Sequence, residues 1–277
     1  MPGLSVVIGT ADGGPEFRKC LETVREDVRG LDVEIVVTDG RPDARERVEG
    51  DEVWVPVPGA DVFALRAAGI GRATGDVVAI TEDHCWVRPG WARAVLAAHA
   101  AHPDVSVVLG RLENGATQYA IDRGIYAMAS QPLVANVSVK RRALGEGTPA
   151  AGWFELIFTR DSELAGDVVT DDAICVVHEK SLREEHPLRL MYDNGRVSSG
   201  LVRDTLAPTR RLRRLARAVL VMPFELNART FRRARADPQM RGDVRALGTV
   251  PALALMHTAG EIAGLLRGPG KSAARVF

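Results

Sequence analysis

Apolar and polar positions follow two alternating regimes along the first 110 residues. Short β-branched runs are separated by stretches in which apolar residues recur every three or four positions. Leu4–Gly9 (LSVVIG), Val33–Thr38 (VEIVVT), Glu52–Val55, Asp76–Thr81 (DVVAIT) and Val105–Gly110 (VSVVLG) read as strands, most of them buried on both faces. Phe17, Cys20, Leu21 and Val24 make a helical stripe within Pro15–Val28. Ala60–Ala73 is predicted as a second helix, closed by Thr74-Gly75. A third starts at Pro89, a favoured first helical residue, and runs to about Ala101. This alternation predicts an α/β fold with a mostly parallel sheet and helices on both faces. Residues 111–204 are less regular, with a helix expected near Thr117–Ala129 and apolar runs near Leu133–Val139 and Ala173–Val177. From about Leu206 the pattern is helical and rich in arginine. The expected organisation is a body of residues 1–204, made of halves 1–110 and 111–204, and a helical extension of residues 205–277.

Composition adds one fact that the totals conceal. The 277 residues carry 36 basic and 36 acidic side chains. Residues 200–277 hold 15 Arg/Lys and 5 Asp/Glu, so the two parts of the chain carry about +10 and −10. Such asymmetry points to an anionic surface for the basic part, or to a solvated helical face. In the tail, Leu212, Leu215, Val219 and Met222 follow a helical stripe, with Arg210, Arg211, Arg213, Arg214 and Arg217 on the other faces. A basic amphipathic helix of this kind suits a membrane surface. Nucleic acid is not expected, because the 14 aromatic residues form no recognisable nucleic-acid motif. Cys20, Cys85 and Cys175 are odd in number and widely spaced, which suits a reducing, cytoplasmic setting. No basic segment followed by a long apolar stretch opens the chain, so a secretory signal is not expected. Leu247–Leu266 is apolar but holds His257 and Glu261, and reads as a buried or interfacial helix rather than a membrane span.

Candidate chemistry collects at the strand ends, where open parallel sheets bind ligands. The first strand runs into Thr10-Ala11-Asp12-Gly13-Gly14, the second into Asp39-Gly40-Arg41, and the fourth into Glu82-Asp83-His84. The last triplet offers carboxylate and imidazole donors for a divalent cation shared with phosphate oxygens, or forms a polar loop. Asp39 before Gly40 contacts a ligand or forms a turn, and the glycine loop cradles a phosphate or only reverses the chain. Neither GxGxxG nor GxxxxGK[ST] occurs, which removes the usual dinucleotide and P-loop fingerprints.

Four segments, in this order and spacing, resemble the donor half of the inverting family 2 glycosyltransferases: Ser5–Thr10, Val36–Gly40, Arg66–Gly69 with Ala73–Asp76, and Glu82–His84 followed by Pro89-Gly90-Trp91. The resemblance implies a Rossmann-like sheet of the nucleotide-diphospho-sugar transferase type. It implies Mn²⁺ or Mg²⁺ as cofactor and a nucleotide-diphosphate sugar as donor. Thr10 and Asp39 match nucleotide-contacting positions, with Asp12 beside them. Arg66 matches an arginine near the nucleotide, or is a surface residue of its helix. Asp83 and His84 match the metal-binding acidic motif, with Glu82 and His84 standing where the family has Asp. Asn136–Arg141 resembles a strand on the acceptor side. Glu155, after Trp153-Phe154, takes the catalytic-base position, with Asp161 as competitor. An inverting transfer needs one carboxylate to take the acceptor proton. His178 matches a histidine that in some relatives assists the metal or diphosphate, or is an ordinary structural histidine. The expected function is transfer of a sugar to a glycolipid, polyprenyl-linked or polysaccharide acceptor at the inner face of a membrane. The alternatives are a non-catalytic nucleotide- or glycan-binding relative and a nucleotidyltransferase of related fold.

Overall fold

The computed structural model of the chain describes residues 2–49, 52–115, 120–128, 135–154, 158, 162, 165–178, 186–236 and 240–275. The β-branched runs become strands: β1 (Leu4–Thr10), β2 (Val33–Asp39), β4 (Glu52–Pro56), β5 (Val77–Glu82) and β7 (Val107–Asn114). Two short strands that the sequence pattern did not reveal, β3 (Arg47–Glu49) and β6 (Cys85–Val87), accompany them. β8 (Asn136–Lys140) and β9 (Val168–His178) complete a nine-stranded sheet in the order β3-β4-β2-β1-β5-β8-β7-β9-β6.

The class is α/β, but the sheet is mixed rather than mostly parallel. β4, β2, β1 and β5 run parallel, and so do β7 and β9. β8 lies antiparallel to both β5 and β7, and β3 and β6 are antiparallel to their neighbours. A buried apolar run looks the same in either direction, so the run ending at Val139 carried no sign of its orientation.

Period-two alternation sorts the strand residues onto two cores. Leu4, Val6 and Ile8 of β1, with Val33, Ile35 and Val37 of β2, face Phe17, Cys20, Leu21 and Val24 of α1 (Pro15–Asp27). Trp91, Ala92, Val95 and Ala98 of α3 (Trp91–Ala101) join that layer. Val7, Val36, Val78 and Ile80 face the other way, against Ile70 of α2 (Val62–Arg72) and Phe154. Helix α3 begins two residues beyond the expected Pro89, because Asp27 caps it there. The Asp27 carboxylate accepts from Gly90 N at 2.5 Å and Ala92 N at 2.7 Å. Likewise α2 starts after Asp61, whose side chain accepts from Ala64 N at 2.9 Å.

A β-bulge at Gly110/Arg111 shifts the register of β7 against β9. Asn136 locks the bulge, donating Nδ2 to Arg111 O and Ile174 O at 2.9 Å each and accepting from Trp91 Nε1 at 2.9 Å. A side chain at Gly110 would collide there, since a Cβ would fall 2.1 Å from Asn136 Nδ2 and 2.4 Å from Ile174 O.

The chain divides into two units: Met1–Gly115 with Pro132–Glu179, and Ala116–Gln131 with Lys180–Phe277. The second unit is helical among the described residues: α4 (Ala120–Met128), α5 (Pro187–Gly200), α6 (Pro208–Leu220), α7 (Met222–Ala236) and α8 (Val244–Arg267). Helix α4 belongs there because Ile125 and Met128 pack with Leu190, Met191, Leu253 and Ala254. Helix α8 is long and apolar enough to cross a membrane by length and composition. Here it lies tightly on α5: a Cβ on Gly260 would sit 1.9 Å from Tyr192 O.

Candidate metal centre

The rim is built by strand register. Thr10 pairs with Asp39 across β1 and β2, and Gly9 pairs with Glu82 across β1 and β5. The carboxyl ends of three adjacent parallel strands therefore meet at one rim, with Thr10 and Asp39 in register and Glu82 in register with the preceding Gly9, on the other face of the sheet. A tight turn at Asp83-His84 then leads into β6, whose Cys85 is the register partner of His178 at the end of β9. That antiparallel pairing brings His178 across 94 residues of sequence to His84.

Three donor atoms converge. His84 Nε2 and His178 Nε2 are 2.8 Å apart, and Glu82 Oε2 lies 3.1 Å from the first and 3.4 Å from the second. The rings meet edge to face with centroids 4.4 Å apart. Adjacent ligands of a small divalent cation with bonds of roughly 2.1 Å lie roughly 3 Å apart, so this spacing fits such an ion. Cys85 Sγ joins the group within 4.8 Å, but burial and the nearby Glu82 charge push its thiol pKa well up, so it is a neutral thiol. Asp83, expected among the ligands, stands behind them: its Oδ1 is 2.9 Å from His84 Nδ1. A carboxylate on the outer nitrogen fixes the ring and directs Nε2 inward. The carboxylate within the group is that of Glu82.

The electrostatics without an ion show how the cluster balances itself. Burial alone would raise the Glu82 pKa, but hydrogen bonds from His178 and His84, with the His84 and Arg66 charges, hold it well below the usual carboxylate range. Burial alone would lower that of His84, yet its bonds to Asp83 and Glu82 prevail and push it up to about 9. Arg66 is buried and turned onto this group, with Nη2 2.6 Å from Glu82 Oε1. The imidazolium and the guanidinium provide the positive charge that a cation would bring.

The other expected residues have defined local roles. Thr10 Oγ1 is buried and accepts from Gly13 N at 3.0 Å. Asp12 Oδ1 accepts from Gly14 N at 2.7 Å, which closes the glycine loop. Asp39 is buried and held by Arg41, whose Nε is 2.9 Å from Oδ1 and whose Nη2 is 2.5 Å from Oδ2. Arg41 was not among the expected site residues, although its position two residues after Asp39 was the available signal. Glu155 and Asp161 lie outside the described residues. The structure thus brings Glu82, His84 and His178 together and aligns Thr10 and Asp39 along the same strand ends.

No family model matches the chain, and no curated protein matches it. Among solved structures, one described as "Crystal Structure of a Mycobacterial Protein" is similar over 66% of this chain and 68% of that chain, at 15% identity and a TM-score of 0.49. A likeness of that degree says nothing of activity.

Proposed function

We propose that the chain is a divalent-metal-dependent, inverting glycosyltransferase that passes a sugar from a nucleoside diphosphate to a hydroxyl of a lipid-linked or polysaccharide acceptor. The observation that carries this reading is the Glu82–His84–His178 cluster spaced for a cation, built at the carboxyl end of β5, the strand neighbouring β1 and β2, whose ends carry Thr10 and Asp39. Ligands of α/β sheets bind beyond strand carboxyl ends of this kind, and the same segments carry the resemblance described above. The finer fold type, a nucleotide-diphospho-sugar transferase sheet, belongs to this proposal.

Glu82, His84 and His178 would hold the ion. Two imidazoles and one carboxylate suit Mn²⁺ better than Mg²⁺, which prefers an oxygen shell. A divalent ion stabilises the charge that develops on a departing diphosphate. Asp83 keeps Nε2 of His84 aimed inward, and Arg66 holds the other oxygen of Glu82. The Asp12-capped loop and the Asp39–Arg41 pair shape the nucleotide end. In the transfer, the acceptor oxygen bonds to the anomeric carbon, the bond from that carbon to the diphosphate oxygen breaks, and the acceptor proton passes to a carboxylate. The resemblance assigns that proton to Glu155.

The test is a series of melts followed by tryptophan emission, with uridine, guanosine, adenosine and cytidine diphosphates, each with and without MnCl₂. A ligand bound only by the folded chain raises apparent stability with its concentration. One nucleotide is expected to raise the melt only with Mn²⁺, and His178→Ala to abolish the rise. If no nucleotide shifts it with or without Mn²⁺, the donor-site reading fails. A second reading, a nucleotide-binding protein without transfer, is favoured by the Arg66–Glu82 pair, in which a fixed cation already meets the carboxylate. A nucleotide-dependent shift without release of diphosphate from any nucleotide sugar would select it.

A further inference from the structure

Helix α6 presents its apolar arc to solvent. At about 100° per residue, Leu212, Ala216, Val219 and Leu220 share one arc, with Arg214 and Ala218 opposite. An amphipathic helix ordinarily buries such an arc against its own core. Here the buried residue of α6 is Ala218, and Arg214 is turned toward the buried Glu261 at 3.5 Å. Leu212 is 67% exposed and Leu220 69%. Helix α7 likewise exposes Phe224, Ala228 and Phe231 at i, i+4 and i+7, while Met222, Thr230 and Ala234 form its buried side. Phe224 is 76% exposed. Of the eleven large apolar side chains exposed among the described residues, six lie between Leu212 and Phe231. Residues 208–236 also hold nine Arg and one acid, and Arg210, Arg213 and Arg232 are exposed.

We infer that the α6–α7 surface docks on an anionic lipid bilayer. Leu212, Leu220 and Phe224 enter the boundary between headgroups and acyl chains, while the arginines meet lipid phosphates. Binding of this kind adds buried apolar area to attraction for anionic lipid. A second copy of the chain is a poorer occupant, because pairing would bring two strongly basic patches together. A nucleic acid would match the charge but leave the leucines and Phe224 in water. The inference is independent of the metal centre.

Flotation of the full chain with phosphatidylcholine vesicles, and with vesicles in which about one third of the lipid is phosphatidylglycerol, tests it. Anionic vesicles are expected to retain about tenfold more protein than neutral ones, and less as salt screens the arginines. L220S/F224S and R210E/R213E should each lower retention about tenfold with an unchanged melt, since the replaced side chains are exposed. If L220S/F224S shifts the melt, Phe224→Ser alone serves. The inference is overturned if both vesicle types retain the chain equally, or neither does, or the variants bind as the parent does. It is equally overturned if light scattering finds a dimer that L220S/F224S dissolves, or if an oligonucleotide binds where vesicles do not.

Discussion

At the scale of single residues, the cluster works by opposition: burial drives each charge out and a neighbour holds it in. Asp83 acts through His84, so Asp83→Asn should weaken Mn²⁺ binding about 10- to 100-fold in calorimetry while the fold persists. His178→Ala removes a donor and should reduce binding further. His99 shows the reverse balance. It is buried with Nε2 2.9 Å from Ser138 Oγ, and burial, with the Lys140 charge, lowers its pKa from 6.5 to about 4. The unfolded ring takes up a proton near pH 6.5 while the folded one stays neutral, so stability is lost as pH falls from 6.5 towards 4. His99→Gln should flatten that acid limb by roughly 2 kcal/mol, read from urea midpoints at pH 7 and 4.5. Glu82, Asp83 and His84 were legible in sequence as potential ligands, because acids and an imidazole at a strand exit are unusual. Which carboxylate joins His178 was not, because the turn between β5 and β6 decides it.

At the scale of elements, the first five expected strands and three helices were legible because β-branched runs and helical stripes alternate cleanly there. β3 and β6 have three residues each, too few to show a period. β6 nonetheless sets the register that delivers His178. The bulge at Gly110 rests on one side chain. Asn136→Ala leaves the Arg111 and Ile174 carbonyls and the Trp91 indole N–H without this partner, and should cost about 3 kcal/mol in urea unfolding. In the helical unit, Gly260→Ala places a methyl group against the backbone of α5, which cannot move as a side-chain tip can. A loss of roughly 2–3 kcal/mol is expected, seen as an earlier melt in far-ultraviolet circular dichroism. The close approach was invisible in sequence, because Gly260 sits in an apolar stretch like any small residue.

At the scale of the whole molecule, neutral total charge sums an acidic part and a basic part. All four tryptophans, Trp54, Trp86, Trp91 and Trp153, lie in the unit that holds the cluster. Their emission therefore reports that unit. Mn²⁺ should raise the melt it detects in the parent chain and leave it unmoved in His178→Ala. The two-unit division was not legible, because it depends on which distant helices α4 meets. That helix has a further consequence for synthesis. The ion pair of Arg123 with Asp243 closes over 120 residues. On the ribosome, α4 leaves the exit tunnel long before α8 exists to receive it. The sheet can complete itself around β8 and β9 while α4 still shows Ile125 and Met128 to the surrounding water. During that interval the nascent chain carries an apolar helix face whose partner has yet to be made.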